Sequence, residues 1–194
     1  MALAALAASA LAWLPARQRD GALLALLVVS LFPSILLLFP IYEGVRALGW
    51  INHALALVVP YAALNLPLGV WVLESALRGL PRELDEAARL DGLSAPLRLA
   101  RIHLPLVAPA LATAGILVFI FCWNEFMLAL TFMTRDPSKT VTAGIASVGG
   151  ASIYEIPWGQ LSAAIVIATV PLIVMVLLFE RRIVSGLTRG AIKG

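Results

Sequence analysis

Four long runs of apolar residues dominate the chain, over about Ala22–Pro40, Ala54–Leu73, Leu104–Leu130 and Pro157–Phe179. A helix rises about 1.5 Å per residue, so roughly 20 apolar residues cross a hydrocarbon core about 30 Å thick. Each run meets that length or comes close to it. None shows the short alternating segments of a β-barrel strand. A fifth apolar run, Met1–Leu14, is short for a crossing. Ala8-Ser9-Ala10 would suit a signal cleavage site, but Arg17 and Arg19 follow the apolar stretch, whereas a secretory signal carries its basic residues before it. The expectation is an all-α, polytopic transmembrane helical bundle of about five helices, with Met1 inside or just before a helix whose beginning is absent.

The polar connections orient these spans. Arg17 and Arg19 lie in the first, Arg78, Arg82, Arg89, Arg98 and Arg101 in the third, and Arg181, Arg182, Arg189 and Lys193 in the tail. The intervening connections hold only Arg46, Arg135 and Lys139, so eleven basic residues stand against three. The positive-inside rule places the richer set, and with it the C-terminus, in the cytoplasm. Pro33, Pro60, Pro67 and Pro171 lie within the runs. Each removes a backbone donor, which membrane helices tolerate, and each is either an ordinary membrane proline or a bend that lets a helix rock.

Composition narrows the class. Of 194 residues, 61% are hydrophobic and 13% charged, and the mean hydropathy is +0.97. Soluble domains are nearer half apolar and a quarter charged. A net charge of +3 without a massed basic face makes nucleic acid a poor partner. Cys122 stands alone, and no Cys/His cluster has metal-ligand spacing, so no metal site is expected. His53 and His103, near predicted helix ends, read as interface residues and not as ligands.

The segment Glu74–His103, within a connection taken as 76–103, is the most charged part of the chain. Pro81 suits the start of a short helix, Glu83, Asp85 and Glu86 complement its dipole, and Gly92 can end it in the left-handed conformation. Ser94 and Pro96 suit the start of a second. Leu84, Ala87, Ala88 and Asp91 fall at i, i+3, i+4 and i+7, a stripe of mostly small apolar groups. A helix resting on lipid would need large apolar anchors and a lysine-rich face, so docking on a protein is expected.

Glu86-Ala87-Ala88, Gly92 after three residues, and Ile102, Leu104 and Pro105 after nine more resemble the signature loop of bacterial ABC importer permeases. Asn65-Leu66-Pro67, Leu80-Pro81-Arg82-Glu83-Leu84, Trp123-Asn124-Glu125-Phe126 and the tail Gly186–Gly194 resemble the carbohydrate, maltose-type branch. The likeness runs from about Leu14 to Gly194. It implies the type I importer permease fold in a single transmembrane domain over 1–194, with six helices of which the first is absent here.

The resemblance implies a permease subunit that moves an oligosaccharide or disaccharide across the inner membrane by ATP-driven alternating access. Leu84, Glu86, Ala87, Ala88, Gly92, Ile102, Leu104 and Pro105 would form the loop that contacts a cytoplasmic ATPase. Gly186, Thr188, Gly190, Lys193 and Gly194, in the tail 180–194, would reach between two ATPase subunits. The implied partners are a second permease subunit, two ATP-binding subunits and an extracytoplasmic sugar-binding protein. The chain lacks the phosphate-binding G-x-x-x-x-G-K-[ST] loop, so ATP and Mg would be bound by those partners, and the chain itself would be no enzyme and hold no cofactor. In the family, the outer loop Thr134–Trp158 projects toward the binding protein.

Glu125 is the only acid well inside a predicted span, where a charge costs roughly 2.5–3.5 kcal/mol on insertion scales. With Trp123, Asn124 and Asn65 it is a candidate for the translocation pathway; snorkelling to the outer interface is the alternative. Other cargo, such as glycerol phosphate, is the nearest rival reading. A secondary transporter would want more intramembrane acids and a visible repeat. An intramembrane hydrolase would want glycine-flanked serine near histidine, which Ser30 and Ser162 lack.

Overall fold

The computed structural model describes residues 1–148 and 157–191, with side chains up to residue 179. In chain order the helices are α1 (Ala2–Ala12), α2 (Ala16–Ser30), α3 (Leu38–Ala47), α4 (Leu55–Arg78), α5 (Arg82–Leu90), α6 (Ala95–Arg98), α7 (Leu104–Leu106), α8 (Ala108–Asn124), α9 (Met127–Phe132), α10 (Val141–Val148) and α11 (Trp158–Ala191). A 3₁₀ turn, Ser34–Leu37, precedes α3, and a π-helical turn, Leu99–His103, joins α6 to α7. No strand occurs among the described residues. The class is all-α, as the apolar runs predict.

Two of the four predicted spans are single helices long and apolar enough to cross a membrane, α4 and Trp158–Phe179 of α11. The other two are broken. The run Ala22–Pro40 bends by 81° between α2 and Ser34–Ala47. Pro33 explains the break, since it has no N–H to donate and disfavours a helical Phe32. The run Leu104–Leu130 bends by 83° between Ala95–Leu106 and α8, where Pro109 cannot donate to the carbonyl of Pro105. It breaks again after Asn124, and α9 starts at Met127. Pro60, Pro67 and Pro171 lie inside continuous helices.

The chain divides into two compact units. One comprises Met1–Leu31, Asn65–Val118 and the described residues from Phe179 on; the other comprises Phe32–Leu64 and Phe119–Leu178. In the first, Ala4, Ala5, Ala8 and Ala12 of α1 pack with Val70, Leu73 and Leu77 of α4 and with Val107. Alanines let the two backbones approach closely, and Gly69 marks the closest point: a Cβ there would lie 2.9 Å from Cβ of Ala4. Gly69→Ala is expected to lower the stability of the detergent-solubilised protein by about 1–3 kcal/mol through overpacking. Adding Ala4→Gly should recover most of it, less roughly 0.5–1 kcal/mol for glycine in a helix. Thermal unfolding of the single and double variants measures this, and equal losses in both would remove the contact from the account.

Glu74 opens the charged segment in sequence but is buried, at 4% exposure, near the end of α4. Arg19 reaches it from α2, Nε to Oε1 at 3.6 Å. The Trp71 indole N–H donates to the Leu23 carbonyl at 3.3 Å, a second tie between α2 and α4.

In the second unit, Val45, Ala56, Leu57, Leu128, Ala129, Phe132, Met133 and Ala143 form the core. Asn52 holds the segment after α9. Its φ of 63° is left-handed, a conformation asparagine tolerates better than most residues. Its amide oxygen accepts from Thr134 N at 2.7 Å, Arg135 N at 2.9 Å and Ser138 Oγ at 3.0 Å. Its own backbone N–H donates to the Phe132 carbonyl at 2.9 Å. One side chain thus satisfies the polar backbone of a tight turn.

Candidate functional site

The loop between α4 and α7 is built from local turn chemistry. Pro81 immediately precedes α5, and Glu83 and Asp85 occupy its first turn. Gly92 has φ +78°, and its N–H donates to the Arg89 carbonyl at 3.0 Å while Leu93 N–H reaches Ala88 O at 3.0 Å. These two bonds are the paired closure of a left-handed helix end. Ser94 sits at the expected cap of α6 with Pro96 just inside, but its hydroxyl makes no capping bond.

The faces of α5 differ from the periodicity reading. The expected stripe is split: Ala88 turns inward at 3% exposure, together with Asp85 at 3%. Outward lie Glu83, Glu86, Ala87 and Leu90, at i, i+3, i+4 and i+7, beside Leu84. Leu90 is 90% exposed, unusual for a leucine. Of the other expected contact residues, Gly92 and Pro105 are exposed, whereas Ile102 and Leu104 are half-buried. Leu104 packs on the apolar core of its unit.

Asp85 is turned inward because its charge is met there. Arg98 Nε donates to Oδ1 at 2.8 Å and Arg89 Nε to Oδ2 at 2.8 Å. Arg98 also donates through Nη1 to the Leu93 carbonyl at 2.8 Å. Removing one partner of such a buried pair costs about 3–5 kcal/mol, because the other charge is stranded. His103 is buried too, with its ring 5.6 Å from that of Trp13. Burial pushes its imidazole below the usual histidine range, against an upward pull from Asp85. Nε2 lies 3.4 Å from Asp85 Oδ1 without forming a hydrogen bond. The hydrogen-bonded ion pairs of Asp85 are therefore those of the two arginines. The position of His103 is a core position and not the interface expected of it.

The pathway candidates fall in different places. Asn65 lies on α4 in the first unit; Trp123, Asn124 and Glu125 belong to the second. The Trp123 indole N–H donates to the Ala168 carbonyl of α11 at 3.2 Å, and its ring meets Phe119 at 5.3 Å. Asn124 Nδ2 donates to Ile120 O at 2.8 Å on its own helix. Glu125 sits at the break between α8 and α9. Its Oε1 accepts from Leu128 N at 2.9 Å, and Oε2 from Ala129 N at 3.1 Å and from the Tyr61 hydroxyl at 2.6 Å. The carboxylate therefore caps α9, where negative charge also meets the positive end of the helix dipole.

Gly186, Thr188 and Gly190 lie along α11, and Lys193 and Gly194 lie outside the described residues. In the segment expected as the outer loop, Lys139 Nζ donates to Asp136 Oδ1 at 2.7 Å and to Ser147 Oγ at 2.8 Å; Gly149–Ile156 lie outside the described residues. Among the described residues no group of three or more His, Cys, Asp or Glu could hold a metal. Sequence reasoning missed Arg98 as the partner of Asp85, Leu90 as an outward residue, and Tyr61 and Asn52 as anchors. Only the Asp85/Arg89 spacing of four carried a local signal.

Residues 1–189 match the family described as the binding-protein-dependent transport system inner membrane component. The chain is 50% identical over 166 residues to the trehalose/maltose transport system permease protein MalG of Thermococcus litoralis, covering 86% of this chain and 59% of that one. It is 40% identical over 192 residues to the trehalose transport system permease protein SugB of Mycobacterium tuberculosis, covering 99% and 70%. It is equally 40% identical to the sulfoquinovosyl glycerol transport system permease protein SmoH of Agrobacterium fabrum, covering 99% and 67%. The chain thus spans about three-fifths to seven-tenths of the length of these relatives. With its signature loop, its apolar helices and a match over almost all of its length, the chain belongs to the binding-protein-dependent inner membrane permease family of ABC transporters.

Proposed function

We propose that this chain is the permease subunit of a sugar importer, with a disaccharide or small oligosaccharide as cargo and α5 as its contact with a cytoplasmic ATPase. The observation that carries this is the outward face of α5. Leu90 stands exposed at the end of α5, one turn beyond Glu86 and two beyond Glu83 on the same side of the helix, which suits a partner surface with an apolar pocket and basic groups beside it. Glu86, Ala87 and Gly92 contribute to the same face. Ala88, Ile102 and Leu104 serve from inside by shaping the loop.

The excess of basic residues in this loop and after α11 supports a cytoplasmic location for both. The tail 180–194 is then a second contact, reaching between two ATP-binding subunits that hold ATP and Mg. A second permease subunit and an extracytoplasmic binding protein complete the assembly. The relatives named for trehalose and maltose, one of them 50% identical, support a neutral disaccharide. Asn65, Trp123 and Asn124 remain the sugar-facing candidates.

The test is co-expression with an ATPase, a second permease and a binding protein from the same source, followed by reconstitution in proteoliposomes. ATP-dependent uptake of trehalose or maltose is expected, and Leu90→Asp should cut recovery of the ATPase with the permease by roughly tenfold or more, as for a central anchor of an interface. Uptake driven by an ion gradient without the ATPase, or full ATPase recovery with Leu90→Asp, would overturn the cargo mechanism or the docking face respectively.

A further inference from the structure

We infer that Asp85 and Arg98 brace the α5–α6 loop into a rigid arm, which makes Asp85 a positioning residue for the transmission of ATPase movement to α7 and the bend that leads into α8. The inference rests on α5 being the ATPase-docking helix, as proposed above. The connection between α5 and α6 is only Asp91–Ser94 and contains Gly92 in the left-handed conformation. Such a joint by itself would flex and absorb a displacement of α5.

The brace removes that slack. Arg98, at the end of α6, grips Asp85 of α5 through Nε and the Leu93 carbonyl through Nη1, both at 2.8 Å. One guanidinium therefore ties the helix, the connection and the next helix together. Its planar fork holds direction as well as distance, which an apolar contact of equal strength would not. Arg89 occupies the second carboxylate oxygen, so Asp85 cannot swing to a new partner without breaking a further bond. From Arg98 the backbone continues without interruption through the π-helical turn into α7. His103, next to the same carboxylate and against Trp13, seats the far end of the arm on the first unit. A rigid-body transmission needs this kind of joint, because movement passes only through elements that keep their mutual angle.

The test uses the assembled importer in proteoliposomes and reads the ATP hydrolysed per sugar imported. Asp85→Asn and Arg98→Lys are expected to raise that ratio about threefold or more, within the range by which coupling changes when a transmitting contact is lost. Asp85→Glu keeps a carboxylate within reach of Arg98 and should stay near the parent ratio. A purely structural role would reduce the amount of complex and leave the ratio per complex unchanged. Arg98→Lys, which keeps a cation beside Asp85, decides the matter if Asp85→Asn fails to accumulate. An unchanged ratio with the ATPase still bound overturns the brace and leaves the docking intact. Failure of the unsubstituted permease to retain the ATPase overturns the docking reading, and the brace with it.

Discussion

Valine in place of Gly92 is expected to lower coupled uptake about tenfold or more while the ATPases continue to hydrolyse ATP. Gly92 holds φ +78°, and nothing lies within 4 Å of the position a Cβ would take. The penalty is therefore one of backbone conformation and not of space. A β-branched residue in this region costs of order 1–3 kcal/mol. Relief of that strain would break the bonds from Gly92 N to Arg89 O and from Leu93 N to Ala88 O. Leu93 would shift, and with it the carbonyl that Arg98 holds. A graded series checks this: Gly92→Asn should retain most uptake because asparagine enters the left-handed region readily, Gly92→Ala should be intermediate, and Gly92→Val the most severe. Equal uptake across the three would separate the loop from transport.

Glu125→Ala is expected to lower the stability of the solubilised protein by about 2–3 kcal/mol, from the loss of a helix cap and of hydrogen bonds to a charged acceptor. The carboxylate satisfies Leu128 N and Ala129 N at the start of α9 and takes the Tyr61 hydroxyl at 2.6 Å. Glu125→Gln keeps an acceptor and should recover part of the loss. The KM for sugar should stay near the parent value in both variants. A raised KM with unchanged unfolding would instead return Glu125 to the translocation pathway. The same residue looks like an expensive intramembrane charge in the sequence and like a cap in the fold. The difference is the break after Asn124, which exposes the N–H groups that the charge then meets.

Local signals were legible where the physics is local. Gly92 ends α5 as its position suggests, because a left-handed residue after a short polar helix needs only its neighbours. Pro33 breaks its run for the same reason. The sequence places Asp85 only as a first-turn charge that suits the dipole of α5; its burial depends on Arg98, thirteen residues away. Glu74 opens the charged segment in sequence, yet in the fold it is buried with Arg19 of α2 beside it. Among the expected contact residues, Ala88 went inward because Asp85 did: the two lie three apart on one face of α5.

The amino-acid sequence by itself determined the membrane class, the all-helical fold, the place of the charged loop and the family to which it belongs. These depend on the length of apolar runs, on turn residues and on a short fixed spacing. Only the tertiary structure decided which face of α5 looks outward, that the Tyr61 hydroxyl reaches the Glu125 carboxylate, and that Asp85 is locked to Arg98. Those outcomes are set by partners 13 and 64 residues distant along the chain, and no pattern within a single helix encodes where such partners will come to lie.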